Sequence, residues 1–157
     1  MDITEKFIET IGNLGESIGL NRTVCQIYAL LYIEPEPLSP IEISRKLGVS
    51  KANISINLKT LEDWNAVKKI WRKGYARSLY TANEDIEGII FEKLKTGLTK
   101  RNRLLTETIA EIKKAVKTSD KKLNKHYSTR LSKVEGLLKK SELFTKNMDI
   151  LRSFLKK

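Results

Sequence analysis

Residues 39–64 read SPIEISRKLGVSKANISINLKTLEDW, and this stretch decides the fold. Ser39 can cap a helix. Pro40 suits the first helical position, where the missing amide would have no partner anyway, and Glu42 stands where a carboxylate reaches back to the cap. Ile43 and Leu47 then share a face, and Gly48 follows where a left-handed residue ends a helix. Ser50 begins a second helix with Ile54, Leu58 and Leu61 as its apolar stripe. Only Gly48-Val49 separates the two. Two short helices joined by a tight glycine turn predict a helix-turn-helix.

Working outward toward the C-terminus, Val67 to Trp71 and Arg77 to Thr81 are rich in β-formers. Arg72-Lys73-Gly74-Tyr75-Ala76 joins them, with Gly74 free to take a positive φ, so a hairpin is expected. Toward the N-terminus, Glu34-Pro35-Glu36-Pro37 stops a helix over 21–33. Asn21 is its candidate cap, and Val24, Ile27, Tyr28, Leu31 and Tyr32 recur at helical spacing. Residues 2–16 form another expected helix, with Phe7, Ile11, Leu14 and Ile18 on one stripe. Gly12, Gly15 and Gly19 weaken it, and Gly19 ends it.

Downstream, residues 84–117 and 121–156 are expected as two long helices, broken at Thr118-Ser119-Asp120. Leu94, Leu98, Leu105, Ile109, Ile112 and Val116 stripe the first, and Gly97 is a candidate bend. Leu123, Tyr127, Leu131, Val134, Leu138, Phe144, Met148, Leu151 and Leu155 stripe the second. Such stripes exceed what a small domain can cover, so they call for each other, the first helix and a second chain. The expected class is mostly α with a small β-wing: a winged helix-turn-helix domain plus long dimerisation helices. The division is 1–18 (N-terminal helix, dimerisation), 19–83 (winged DNA-binding domain) and 84–157 (long-helix dimerisation region).

Charge gives this architecture a direction. The chain has 157 residues and a net charge of +11. Residues 1–38 are net −4, residues 39–83 net +6 and residues 84–157 net +9. Basic surface attracts polyanions, nucleic acid first among them. With Ile54 placed inward, Ala52, Asn53, Ile56, Lys59 and Thr60 lie on the outer face of the second helix. They offer an amide, a cation, a hydroxyl and apolar groups suited to thymine methyls. Ser50, Lys51 and Ser55 sit at the helix start, where a phosphate is favoured. The hairpin carries Lys68, Lys69, Arg72, Lys73 and Arg77, with no acid between Asp63 and Glu84. These thirteen residues are the candidate double-stranded DNA contacts.

Other functions find little support. One cysteine, Cys25, and one histidine, His126, leave no metal-ligand set, and no phosphate loop or nucleophile–base pair is visible, so an enzyme is not expected. No cofactor is implied. No apolar run approaches a membrane span and MDITEKF lacks a secretory pattern, so a cytoplasmic protein without membrane association is expected. Cys25 reads as core, with a redox thiol as the alternative. His126 reads as a surface or interface residue. Trp64, Trp71, Tyr75 and Tyr80 cluster around the hairpin. Packing accounts for them, and an aromatic cage for a cationic ligand is the alternative. Lys100 to Lys140 carries thirteen basic and four acidic side chains, read as a solvated face or else a second polyanion surface.

The stretch from Gly19-Leu20-Asn21-Arg22 to Glu84-Asp85 resembles the winged helix of MarR-type transcription regulators, and more narrowly their GbsR-like branch. The carrying residues are Tyr28-Ala29-Leu30-Leu31-Tyr32, Ser39 with Glu42-Ile43, Leu47-Gly48-Val49-Ser50-Lys51 and Asn53-Ile54-Ser55. Leu58, Leu61, Trp64, Val67, Trp71, Gly74, Arg77 and Tyr80 complete them. The resemblance implies a homodimer on a pseudo-palindromic operator, usually a repressor and sometimes relieved by a small-molecule effector. It also implies a ligand cleft between winged domain and long helices. Tyr28, Tyr32, Trp64 and Trp71 are the candidate pocket residues. Tyr75-Ala76 departs from the pattern, standing where an acidic residue often precedes the wing arginine. The alternatives to a sequence-specific regulator are a winged-helix protein-interaction module and a sequence-indifferent architectural DNA binder.

Overall fold

Capping side chains set the helix ends in the N-terminal half. The Asn21 carboxamide oxygen accepts from the Val24 amide at 3.0 Å. The Ser39 hydroxyl oxygen accepts from the Glu42 amide at 3.3 Å, while the Glu42 carboxylate accepts from the Ser39 amide at 2.7 Å. Gly48 closes that helix with φ 64°, a left-handed conformation that costs a side-chain-bearing residue more. Ser50 then caps the next helix by accepting from the Asn53 amide at 3.3 Å.

The computed structural model describes residues 2–74, 76–116 and 120–155, the side chain of Leu155 excepted. Its elements are α1 (Ile3–Ser17), α2 (Arg22–Ile33), α3 (Pro40–Leu47), α4 (Lys51–Asp63), β1 (Val67–Ile70), β2 (Leu79–Ala82), α5 (Ile86–Ala115) and α6 (Lys121–Leu155). They fall into two compact units, Met1–Phe91 and Glu92–Lys157. The first is a winged helix-turn-helix, with α3, the Gly48 turn, α4 and the β1–β2 hairpin in order. Tyr75, Lys117, Thr118, Ser119, residue 156 and the Leu155 side chain, all used in the expectations above, lie outside the described residues.

The core of the first unit gathers Ile27, Leu30, Ile43, Ile54, Leu58 and Leu61 below 3 % exposure. α4 therefore buries the predicted stripe. Its C-terminus is closed by Asn65 in the left-handed region (φ 54°), with the Ala66 amide donating to the Leu61 carbonyl at 2.9 Å. The hairpin pairs Val67 with Ala82 and Ile70 with Leu79 in antiparallel register. Leu38 adds a third extended segment, exchanging hydrogen bonds of 2.9 and 2.8 Å with Tyr80. This ties the hairpin to the α2–α3 connection.

Two local expectations are corrected. The strands were expected over 67–71 and 77–81, but β1 ends at Ile70 and β2 runs 79–82, so Trp71 and Arg77 belong to the loop. The Leu38 bridge and the burial of Leu79, Tyr80 and Ala82 pull the ladder toward the base of the hairpin. On α1, the buried face holds Ile8, Gly12 and Gly15, and Leu14 is half exposed. The glycines are contacts with α2 rather than mere weak points. A Cβ on Gly15 would stand 2.2 Å from Cys25 Sγ, and one on Gly12 would stand 2.8 Å from Gln26 Cγ. Burial also pushes the Cys25 thiol up, away from the reactive thiolate.

In the second unit the helices lie antiparallel. Lys95 pairs with Asp149 at 2.5 Å, Lys113 with Glu135 at 2.7 Å, and Asn102 exchanges hydrogen bonds of 2.9 and 3.1 Å with Ser141. Leu138, Thr145 and Met148 are buried on α6. α5 runs unbroken through Gly97.

Gly15→Ala should cost about 1–3 kcal/mol of stability through overpacking against Cys25. In a Cys25→Ala background that cost should shrink by about 1 kcal/mol or more, measured by denaturant titration as a double-mutant cycle. A second expectation concerns acid. The Ser39 hydroxyl and amide hold the Glu42 carboxyl below its ordinary value of 4.5. The ionised form therefore favours the fold above that value, and the benefit fades as pH falls through the lowered one. Glu42→Ala should lower the melting temperature at neutral pH, by about 1 kcal/mol in stability, with the gap to wild type closing below about pH 4.

Candidate nucleic-acid interface

With Ile54, Leu58 and Leu61 in the core, the opposite face of α4 is necessarily outside. Lys51, Ala52, Asn53, Ser55, Ile56 and Lys59 are exposed, and Thr60 is half-buried. Ile56 is 68 % exposed, an apolar side chain with no core to join. Glu62 and Asp63 come only in the last turn, so the preceding turns present no negative charge. Ser55 and Thr60 donate their hydroxyl protons back to the Lys51 and Ile56 carbonyls, at 3.0 and 3.3 Å. Ser50 accepts at the cap, which leaves its own O–H to donate beyond the helix.

The structure also distinguishes a residue that the sequence reading passed over. Asn57 is buried on α4, and its Nδ2 donates to the Asn53 carbonyl at 2.9 Å and to Asn53 Oδ1. The only sequence signal was two asparagines four residues apart, which places them on one helix face.

The five hairpin cations divide into three kinds. Lys68, Lys73 and Arg77 are exposed and make no ion pair with any described residue. Lys69 Nζ lies 5.8 Å from the Trp71 ring centroid and 5.9 Å from that of Tyr80, so its charge is held between two aromatic faces. Arg72 reaches back to Glu36 at 3.2 Å, linking the loop to the α2–α3 connection. That exposed pair is worth little in stability.

Of the candidate pocket residues, Tyr28 and Tyr32 pack on each other, while Trp64 and Trp71 stand in different surroundings. Tyr28 is buried, and its hydroxyl donates to the Asn83 carbonyl at 2.8 Å. Burial, with Tyr32 and Asp85 adding, pushes its phenol upward, so it stays neutral. Tyr32 packs between the Tyr28 ring (5.9 Å) and the Phe7 ring (6.5 Å). Trp64 is half-buried at the end of α4, against the core. Trp71 is 73 % exposed on the hairpin. At Trp71 and Tyr80 the aromatic faces already hold a cation, the chain's own Lys69. Among the described residues no cluster of His, Cys, Asp and Glu could hold a metal ion, and no helix is long and apolar enough to cross a membrane.

Comparison with known proteins follows the same outline. Residues 18–70 match the MarR family model. The chain is 26 % identical over 141 residues to the HTH-type transcriptional repressor OpcR of Bacillus subtilis, an alignment covering 88 % of this chain and 68 % of OpcR. It is 30 % identical over 78 residues to the HTH-type transcriptional repressor GbsR of the same organism, covering 50 % of this chain and 43 % of GbsR. The chain thus spans between 43 % and 68 % of these relatives' length. A crystal structure of a transcriptional regulator matches 99 % of this chain and 100 % of its own, with a TM-score of 0.65 at 20 % identity, which shows the shared fold. Residues 18–70 are thus similar to the MarR family, and the chain resembles two HTH-type transcriptional repressors, OpcR and GbsR.

Proposed function

We propose that the chain is a sequence-specific double-stranded DNA-binding transcription regulator. It acts as a homodimeric repressor on a pseudo-palindromic operator, with α4 in the major groove and the hairpin on flanking DNA. The observation that carries this is the outer face of α4. Lys51, Ala52, Asn53, Ile56 and Lys59 project from a helix whose other face is fully withdrawn from water, with no acid before Glu62. A helix set on a folded base with polar, cationic and methyl groups outward has the chemistry that reads base edges. The exposed cations Lys68, Lys73 and Arg77 suit the backbone or minor groove beside it. The named repressor relatives point the same way.

The dimer is supported by apolar surface that one chain leaves open. On α5 and α6, Leu104, Leu137, Leu143, Phe144, Ile150 and Phe154 are each more than half exposed. Apolar side chains in such number on paired helices favour cover by a second copy. Two winged domains related by a two-fold axis would meet half-sites about 34–36 Å apart.

Selection from random duplexes at about 150 mM salt should enrich a palindrome with half-sites about one turn apart. Retention without enrichment would indicate an architectural binder, and no retention would favour a protein-interaction module. Asn53→Ala and Lys59→Ala should each weaken binding to the selected site by about 5-fold or more. Arg77→Ala should weaken binding to all sequences and lower the slope of log affinity against log salt by roughly one. Equal affinity in all three would remove the groove assignment. Sedimentation should give twice the 18.0 kDa chain mass, reduced to one in Phe144→Asp/Leu143→Asp. A wild-type monomer would contradict the assembly.

A further inference from the structure

Asn57 cannot be a base contact, because it is 8 % exposed. What it can do is decide how Asn53 meets a base. Its carboxamide makes two contacts with Asn53. The first is with the Asn53 main-chain carbonyl, at 2.9 Å. A carbonyl only accepts, so the end of Asn57 facing it must be Nδ2. That same Nδ2 meets the Asn53 side chain, so the facing atom there must also be an acceptor, Oδ1. The orientation of both amides thus follows from one backbone carbonyl. Asn53 Oδ1 is engaged from within the helix, and Asn53 Nδ2 has no hydrogen-bond partner among the described residues. Asn53 itself is exposed on the outer face of α4.

An asparagine free at both amide atoms pairs bidentately with adenine, accepting from N6 and donating to N7. In Asn53 one of the two Oδ1 lone pairs is taken by Asn57, which fixes the plane of the amide and leaves Nδ2 as its unengaged end among the described residues. We propose that Asn57 is a positioning residue that presents Asn53 as a hydrogen-bond donor, so that the chain reads acceptor edges, guanine O6 and N7 first and thymine O4 second, and disfavours adenine. The inference rests on α4 entering the major groove.

Two readouts test it separately from that premise. The first needs no DNA. In the free protein, NMR should show the Asn57 side-chain amide protons protected from solvent exchange, with part of that protection lost in Asn53→Ala. Unprotected protons would overturn the lock itself. The second uses the selected duplexes. One position per half-site should lose its base preference in Asn53→Ala, and in the wild type that position should hold guanine or thymine. Asn57→Ala should move it toward adenine, by about 5-fold or more in relative affinity. Asn57→Leu fills the volume without donating and should do the same, so a variant that fails to fold does not decide the matter. Circular dichroism confirms that each variant compared is folded. Adenine at the Asn53-dependent position in the wild type, or an unchanged preference in both Asn57 variants, would overturn the proposal. Protected Asn57 protons with no Asn53-dependent position would show that the lock exists and the groove premise fails, which overturns the specificity role with it.

Discussion

The burial of Ile54, Leu58 and Leu61 against Ile27, Leu30 and Ile43 is the contact on which the rest of the first unit depends. It removes one face of α4 from water and leaves no freedom in where the other face points. Fully burying a side chain of this size stabilises by about 1.5–3 kcal/mol, so rotating α4 to present another face would forfeit several such terms. The cap at Ser50, the left-handed Gly48 and the Asn65 turn then fix where the face begins and ends. Chemistry on the outer face follows from packing on the inner one.

Most of this was legible in the sequence because the signals are local. A capping box, an N1 proline and a glycine stop act within four residues, and the fold realises each of them at Ser39, Pro40, Glu42 and Gly48. The stripe of α4 was readable because its period is that of one helix. What the sequence hid was set by tertiary partners. The inward face of α1 turned on glycines that allow α2 to approach, and a glycine carries no hydrophobic signal. The strand ends turned on Leu38, nearly thirty residues away from the hairpin and extended rather than helical.

The candidate site divides the same way. Outward positions on α4 were predictable from angle alone. The partners of the hairpin cations were not, because Arg72 answers to Glu36 and Lys69 to the rings of Trp71 and Tyr80. The aromatic side chains looked alike in the sequence and differ in place. Tyr28 is core with its hydroxyl engaged, while Trp71 is largely in solvent. Asn57 went unnoticed because a buried polar residue is recognised by its partner, and the partner was itself one of the candidate contacts.

The proposed regulator works only if the outer face of α4 meets base edges in the major groove. Methylation interference probes this contact, since a methyl group on guanine N7 blocks that groove and leaves the phosphates untouched. Methylation in two patches about one helical turn apart should abolish binding to the selected duplex, and Asn53→Ala should remove part of that sensitivity. Binding indifferent to N7 methylation throughout the site would contradict it.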